Sequence, residues 1–267
     1  MSIESNLYST DRKTGLGHKV KGILLKKADA YQITGSPQIE YINFFEPSAA
    51  SSKKMIRLPN LVNESVFIEK VQKTRKEEKE SIRKSLGVGE EEQIWVLSSR
   101  LIEIKGVIPF ITLFRKIKNV QLFILGDGDL LSTIQDVIKR DSLNIKLVGF
   151  VPESEVVRYY AVADLFVLPS LKDPSPLSPI EALAANLPLL VSSRIGNYAD
   201  VIKDASNGWG YDPVNEKELG EKLVNKISKL TRVELAEMGK ISGNLFKQNF
   251  LSTKCIKNYV NELKTLV

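Results

Sequence analysis

Short apolar runs alternate with amphipathic stretches from about residue 93 onward. The stretches between the runs show helical spacing, at Ile108–Ile117, Leu130–Arg140, Glu153–Val162 and Ser178–Asn186. Continuous apolar runs of strand length are typical of strands buried on both faces. Strand–helix alternation favours parallel strands joined by right-handed crossovers, so the pattern predicts an α/β, doubly wound Rossmann-like domain. The runs are IWVLSS (94–99), VQLFILG (120–126), IKLVGFV (145–151), DLFVLPS (164–170), PLLVSS (188–193) and a weaker WGYDP (209–213).

The two ends of the chain follow other patterns. Residues 215–266 predict consecutive helices with a break at Asn249–Ser252, where Ser252 is a candidate cap. The first 62 residues predict helices at about 16–27 and 36–45 and strands at 30–34 and 55–59. That is too little for an independent core. We expect three parts: an N-terminal α/β segment (1–62), a charged connector (63–90) and a C-terminal domain (91–267).

Composition narrows the class of protein. One cysteine and one histidine among 267 residues exclude a disulfide framework and make a zinc or iron site implausible. No secretory or membrane-spanning apolar run is present, so we expect a cytoplasmic protein. Most of the net charge of +6 is expected on solvated surface. The basic runs Lys13–Lys27 and Lys70–Lys84 are candidate contacts with the inner face of a membrane, and no nucleic-acid partner is expected.

Candidate chemistry lies where the predicted strands end, beginning with Ser99-Arg100 and Lys105-Gly106 after the first strand. Two cations beside a helix N-terminus suit a diphosphate, although a surface loop with two ordinary cations explains the spacing too. Gly126 follows the second strand, but the third glycine of a dinucleotide fingerprint is absent, which disfavours NAD. A tight turn is the alternative there. Gly149-Phe150-Val151 follows the third strand, where main-chain groups could contact a nucleobase or the strand could simply end.

The fourth strand is followed by a proline-rich segment that contains Asp173 and Glu181. Backbone N–H groups around Ser175–Ser178 are candidate phosphate contacts at the start of the next helix. Glu181 could accept both hydroxyls of a ribose. Alternatively, Ser178 and Glu181 could form a capping box with Pro179 at the first helical position.

In order and spacing these sites resemble the C-terminal domain of retaining GT-B glycosyltransferases, the large group often called family 4. The resemblance runs from about Arg57 to the C-terminus. It implies transfer of a sugar from a nucleotide-diphosphate donor to a glycan or glycolipid acceptor, with no metal or other cofactor. Catalytic roles are implied for Arg100, Lys105 and Asp173. Donor contacts are implied for Ser99, Gly126, Gly149, Phe150, Val151, Ser175, Pro176, Leu177, Ser178 and Glu181.

Two departures from the family pattern matter. Asp173 stands where the family usually has Glu, which sets the carboxylate back by roughly 1.5 Å, about one bond length. Residues 1–62 resemble only the last units of the family's N-terminal, acceptor-binding domain. The resemblance therefore leaves two hypotheses: an active transferase whose acceptor half is a separate polypeptide or an upstream coding segment, or a truncated module that binds nucleotide sugar without turnover.

Overall fold

The computed structural model describes residues 1–7, 10 and 14–266, which form two parallel sheets. The first unit comprises β1 (Ser2–Ile3), α1 (Gly15–Lys26), β2 (Ala30–Ile33), α2 (Pro37–Phe45), α3 (Ala49–Ser52) and β3 (Lys54–Arg57). Two helices follow, α4 (Glu64–Glu77) and α5 (Lys79–Ser85). The second unit comprises β4 (Gln93–Ser98), α6 (Val107–Ile111), β5 (Val120–Leu125), α7 (Leu131–Arg140), β6 (Ile145–Gly149), α8 (Glu153–Val162), β7 (Leu165–Leu168), α9 (Ser178–Ala184), β8 (Leu189–Ser192), α10 (Tyr198–Val201), β9 (Gly208–Tyr211), α11 (Lys217–Ile227), α12 (Arg232–Asn249) and α13 (Ser252–Lys264). Short 3₁₀ helices at Glu103–Lys105 and Thr112–Lys116 flank α6.

The larger sheet has the strand order β6-β5-β4-β7-β8-β9, and every pairing is parallel. This is a doubly wound α/β sheet, and all six predicted strands are confirmed. Side chains alternate between two cores, because successive residues of a strand point to opposite faces. Val96 and Phe166 pack with α4, α8 and α9 on one face, whereas Trp95 and Leu165 pack with α6 and α11 on the other. The apolar runs are continuous in sequence because both faces are covered.

The smaller sheet has the order β1-β2-β3 and its own core. Tyr31 and Ile42 are fully buried there, and the Tyr31 hydroxyl donates a hydrogen bond to the Leu25 carbonyl at 2.6 Å. The predicted helices and strands of this segment are confirmed. The structure adds β1 and α3, which have two and four residues and are too short to give a periodic pattern.

Helices α4 and α5 lie within residues 63–90, the segment whose charge pattern predicts a connector. Phe67, Val71 and Ile82 are buried in the same core as Phe166 of the large sheet. Arg75 donates from Nε and Nη2 to the carbonyls of Ala161 and Tyr160, both at 3.0 Å, at the end of α8. These helices therefore pack as a layer on the larger sheet. The domain boundaries at 62 and 90 stay predictions.

Two expected helix caps are wrong. Leu177 already has helical φ and ψ, so α9 begins one residue earlier than a cap at Ser178 requires, and it has no side-chain cap. Glu181 is thereby displaced from the capping-box position. Ser252 is likewise the first residue of α13 and not its cap, and its hydroxyl donates to Glu64 Oε1 at 2.6 Å. Thr231 and Glu234 form a capping box at the start of α12.

The two units contact each other directly. Arg57 pairs with Asp200 at 2.9 Å, and the Tyr259 hydroxyl donates to Gln32 Oε1 at 2.8 Å, so α13 reaches back to the small sheet. Within the described residues, none of the helices has the length and apolar character needed to cross a membrane.

Candidate active site

The expected site residues lie at the point where the strand order of the large sheet reverses. Arg100 and Lys105 follow β4, Asp173 follows β7, and β4 and β7 are neighbours in the sheet. Their connections leave toward opposite edges, because β4 leads to β5 and β7 leads to β8. Ligands of doubly wound sheets bind in the crevice that this divergence opens at the carboxyl ends of the strands.

Lys105 and Asp173 form an ion pair with each other, although 68 residues separate them. The side chains are 13% and 7% exposed, so little water screens the pair. The backbone holds the two loops together, because the N–H groups of Leu171 and Lys172 both donate to the Ile104 carbonyl, at 2.9 and 3.2 Å. An ammonium and a carboxylate are therefore held side by side at the switch point.

Gly106 allows the loop that carries Lys105 to approach β7. Its φ is +65°, a left-handed conformation, and a Cβ there would lie 2.3 Å from the Pro169 carbonyl oxygen. Only glycine fits both requirements. The Lys105-Gly106 pair seen in the sequence thus has a structural cause as well as the chemistry expected of the lysine.

Arg100 is exposed, and no hydrogen bond or ion pair engages its guanidinium within the described part of the chain. Ser99 beside it is half-buried, and its hydroxyl contacts the Arg100 carbonyl at 3.2 Å. A planar guanidinium with all its N–H groups unpaired, at the end of the strand that also leads to Lys105, is suited to an anion with several oxygen atoms.

Glu181 faces Tyr160, whose hydroxyl donates to Glu181 Oε2 at 3.4 Å. Burial raises the pKa of Glu181, and the bond from Tyr160 offsets part of this rise. The phenol is fully buried and also hydrogen-bonds Ser98, at the end of β4; burial and the negative charge of Glu181 hold the pKa of Tyr160 well above its usual range. The carboxylate is thus placed beside the end of β4 with acceptor capacity to spare. It makes no hydrogen bond or ion pair with Arg100, Lys105 or Asp173 among the described residues.

The loop of residues 173–178, here called the Pro-rich loop, is held by amide side chains at four successive carbonyls. Asn197 is buried and donates to Pro176 at 2.8 Å. The other three amides come from the first 60 residues. Asn6 donates to Asp173 at 3.2 Å, Gln38 to Pro174 at 3.4 Å and Asn60 to Ser175 at 2.8 Å.

These contacts show how the first unit supports the site. Pro176 is buried, Ser175 and Ser178 are half-buried, and Leu177 is 39% exposed. Sequence reasoning missed Asn6, Gln38 and Tyr160, because lone polar residues at distant positions have no spacing that marks them.

The two glycines expected to admit a ligand differ. A Cβ on Gly126 would lie 1.8 Å from the Ser99 carbonyl oxygen, so this glycine is required by contact between two loops. A Cβ on Gly149 would meet no atom within 4 Å, and its φ is +85°. Phe150 beside it is 75% exposed, and Val151 is half-buried. Gly149 and Phe150 therefore border free space at the end of β6.

These features match a known family. Residues 78–241, more than half of the chain, match the model of the family described as "Glycosyl transferases group 1". The chain belongs to this family. The matched range contains every donor-site residue that the sequence predicted, together with α5 to α11 and most of α12.

Two curated relatives are similar to part of the chain. An uncharacterized glycosyltransferase of Methanocaldococcus jannaschii is 35% identical over 141 residues, which are 51% of this chain and 36% of that protein. Alpha-monoglucosyldiacylglycerol synthase of Acholeplasma laidlawii is 29% identical over 188 residues, 67% of this chain and 43% of that protein. The matches span less than half the length of each relative.

The solved structures show the fold. The Anabaena protein HepE, crystallised with UDP, superposes on 99% of this chain and 71% of its own with a TM-score of 0.79 at 16% identity. The structural neighbours are GT-B glycosyltransferases, which confirms the GT-B-type Rossmann-like fold expected from the sequence.

Proposed function

We propose that this chain binds a nucleotide-diphosphate sugar and takes part in transferring the sugar to a glycan or glycolipid hydroxyl with retention of configuration. One observation carries the proposal: the unpaired guanidinium of Arg100 and the Lys105–Asp173 ion pair follow two neighbouring strands, β4 and β7, at the switch point of the sheet. Family membership supports glycosyl transfer, and HepE, with the same fold, was crystallised with UDP and with UDP-glucose.

In this proposal, Arg100 and Lys105 bind the diphosphate. As the bond from the sugar to the diphosphate breaks, negative charge grows on the leaving oxygen, and two fixed cations stabilise it. The positive charge that stabilises this oxygen then comes from the protein and not from a metal ion, so metal chelators should not affect turnover. Glu181 accepts hydrogen bonds from the ribose hydroxyls. Its buried position favours this role because an unsolvated carboxylate gains most from new donors.

Asp173 would accept hydrogen bonds from the hydroxyls of the transferred sugar. Its partner Lys105 must then divide its N–H groups between Asp173 and the diphosphate. An ammonium has three N–H donors, so one lysine can serve both. The nucleobase is assigned to the free space at Gly149 and Phe150, where an exposed aromatic ring and main-chain groups are both available.

The acceptor in this proposal is presented at a membrane surface, and α1 is the contact. Leu16, Val20, Ile23 and Leu24 are each at least 45% exposed on this helix. They lie at helical spacing beside exposed lysines, a pattern typical of helices that lie in the membrane interface. Lys13, part of the basic run predicted for this role, lies outside the described residues. Removal of the exposed leucines should reduce binding to anionic vesicles.

Calorimetric titration with UDP-glucose and with other nucleotide sugars tests the donor site. We expect at least one donor to bind, and Arg100→Gln should weaken that binding at least tenfold, as expected for loss of a charge-assisted hydrogen bond of about 1.5–3 kcal/mol. Lys222→Gln is the matched control, because it removes an exposed cation from α11, away from the site. Equal affinity in both variants, or no binding to any donor at millimolar concentration, would refute the proposal.

A further inference from the structure

A second cluster of cations lies at the opposite end of the large sheet. Asp164 directly precedes β7, is 7% exposed, and accepts a hydrogen bond from the Ile94 N–H at 2.9 Å. Three cations approach its carboxylate: Arg232 at 3.3 Å, Arg83 at 3.6 Å and Lys79 at 3.9 Å. The positive charge of Arg75 also acts on this carboxylate. Four cations therefore surround a single buried carboxylate at the amino ends of the strands.

The positive charge exceeds what Asp164 can neutralise. Arg83 is also attracted by Glu80 and Glu92, and it donates to the carbonyls of Gly89 and Glu92. Lys79 has no such additional partner among the residues that the structure describes. Its charged neighbours are Asp164 and three cations, and burial together with those cations lowers its pKa. Lys79 Nζ donates no hydrogen bond within the described residues. Its distance of 3.9 Å to Asp164 Oδ1 is at the outer limit for an ion pair.

A cavity of about 530 Å³ opens beside these side chains. Arg75, Lys79, Arg232 and Lys240 contribute its positive groups, and Lys240 is itself paired with Glu237 at 2.6 Å. The floor is mainly apolar and includes Ala163, Leu187, Pro188, Val233, Leu235 and Ala236. Asp164 also lines the cavity, which thus combines an excess of positive over negative charge with an apolar surface. Crowded cations in a site of low solvent access attract an anion, because its charge relieves their mutual repulsion.

We propose that this cavity binds a phosphate-bearing ligand, with Lys79 and Arg232 contacting the phosphate and the apolar floor contacting the rest of the molecule. Phosphate suits the site because a lysine and an arginine approach from two helices, α5 and α12, and a phosphate group has several acceptor oxygens to meet them. The site is separate from the donor site, since the two lie at opposite ends of the same strands.

Three of the cations belong to the run Lys70–Lys84, whose charge alone suggested a membrane-surface contact. Arg75, Lys79 and Arg83 instead face Asp164. A lipid headgroup and a soluble phosphate ester share the chemistry that this site recognises. The experiment therefore needs one arm for each source.

The soluble arm is a calorimetric titration with pyrophosphate, made in a chain carrying Arg100→Gln so that the donor site contributes little. Adding Lys79→Gln or Arg232→Gln should weaken binding at least tenfold, whereas Lys222→Gln, which removes the same charge from α11, should not. Thermal melts without ligand check folding. Lys79→Gln should melt no lower than its parent, because it relieves repulsion among cations.

The lipid arm measures binding to vesicles of phosphatidylcholine with about one quarter phosphatidylglycerol, a negative surface that attracts basic sites. All variants keep α1, so only the difference between Lys79→Gln and Lys222→Gln is informative. A loss specific to Lys79→Gln and Arg232→Gln in the pyrophosphate arm identifies a soluble ligand, and the same pattern in the vesicle arm alone identifies a headgroup. If neither arm separates these variants from Lys222→Gln, the proposal is wrong.

Discussion

Lys105 and Asp173 have competing tasks at the level of single residues. Each neutralises the other, yet a donor needs the lysine for its diphosphate and the aspartate for its sugar. The pair is nearly buried, so loss of one partner leaves a poorly solvated charge. A diphosphate can take the place of the missing carboxylate as the partner of Lys105.

Asp173→Asn should therefore lower the stability of the free protein and increase its response to ligand. We expect the free energy of unfolding to fall by up to about 3 kcal/mol, the cost of breaking a buried pair. In a chain that carries Lys79→Gln, so that the second proposed phosphate site contributes little, the rise in melting temperature caused by pyrophosphate should exceed that of the parent, because the anion restores a partner to Lys105. Turnover should fall. Asp136→Asn, which removes an exposed carboxylate from α7, should change neither quantity noticeably. An unchanged ligand response in Asp173→Asn would contradict the competition.

Glu181 should destabilise the fold at neutral pH, because burial raises its pKa. A carboxyl whose pKa is higher in the folded chain favours folding when protonated and loses that contribution as pH rises through the raised pKa. Glu181→Gln should therefore be more stable than the parent at pH 7. The difference should vanish below about pH 4.3, the pKa of Glu in an unfolded chain. Chemical denaturation across this pH range measures it, and nucleotide affinity should fall at the same time.

Glu234 provides a control of opposite sign. Hydrogen bonds from Thr231 lower the pKa of Glu234, so its contribution to stability is present at neutral pH and is lost as pH falls through the lowered pKa. Glu234→Gln should be less stable than the parent at pH 7. If both variants shift stability in the same direction at pH 7, the assignment of the Glu181 shift to burial is wrong.

At the scale of elements, the loops that end the strands differ in how tightly they pack. Gly126→Ala places a Cβ against the Ser99 carbonyl and adds left-handed strain, so we expect a loss of at least about 3 kcal/mol in unfolding free energy. Gly149→Ala meets no neighbouring atom and should cost about 1–2 kcal/mol, the strain alone. Urea denaturation of the two variants compares these costs. Equal losses would show that the space at Gly149 is not open.

Most strands and helices could be predicted from the sequence, because burial of their side chains leaves a pattern of apolar residues. Strands covered on both faces produce continuous apolar runs, so β4 to β9 could be located from hydrophobicity alone. Helix ends were harder, because Leu177 and Leu251 precede their helices without a capping side chain. Strand β1 has two residues and leaves no pattern.

The sequence marks candidate residues for the site, whose roles stay predictions, but it does not show the contacts among them. Arg100, Lys105, Asp173 and Glu181 are marked by their places after strands. Lys105 can pair with Asp173 because β4 and β7 are neighbours in the sheet. The order of the strands along the chain does not show that these two strands are neighbours. The bond from Tyr160 to Glu181 and the amides that hold the Pro-rich loop depend on packing between distant helices and loops, for which one sequence has no local pattern.

At the scale of the whole molecule, the first unit has a small core of its own but supports a loop of the second. Its buried apolar residues form a cluster separate from the two cores of the large sheet. Asn6, Gln38 and Asn60 nevertheless donate to three successive carbonyls of the Pro-rich loop. Opening of the small unit should therefore release the loop that carries Asp173 without unfolding the large sheet.

Ile42→Ala tests this coupling from a position in the core of the small unit. Ile42 is fully buried, and its truncation should cost about 2–5 kcal/mol, enough to raise amide exchange in residues 30–57 while β4 to β9 stay protected. In a chain that also carries Lys79→Gln, so that the second proposed phosphate site contributes little, pyrophosphate affinity should fall severalfold as well, although Ile42 lies outside the donor site. Ile124→Ala, an equally buried control in β5, should instead raise exchange throughout the large sheet. If Ile42→Ala accelerates exchange equally in both units, they unfold as one; if affinity is unchanged while the small unit opens, its amides do not support the donor loop.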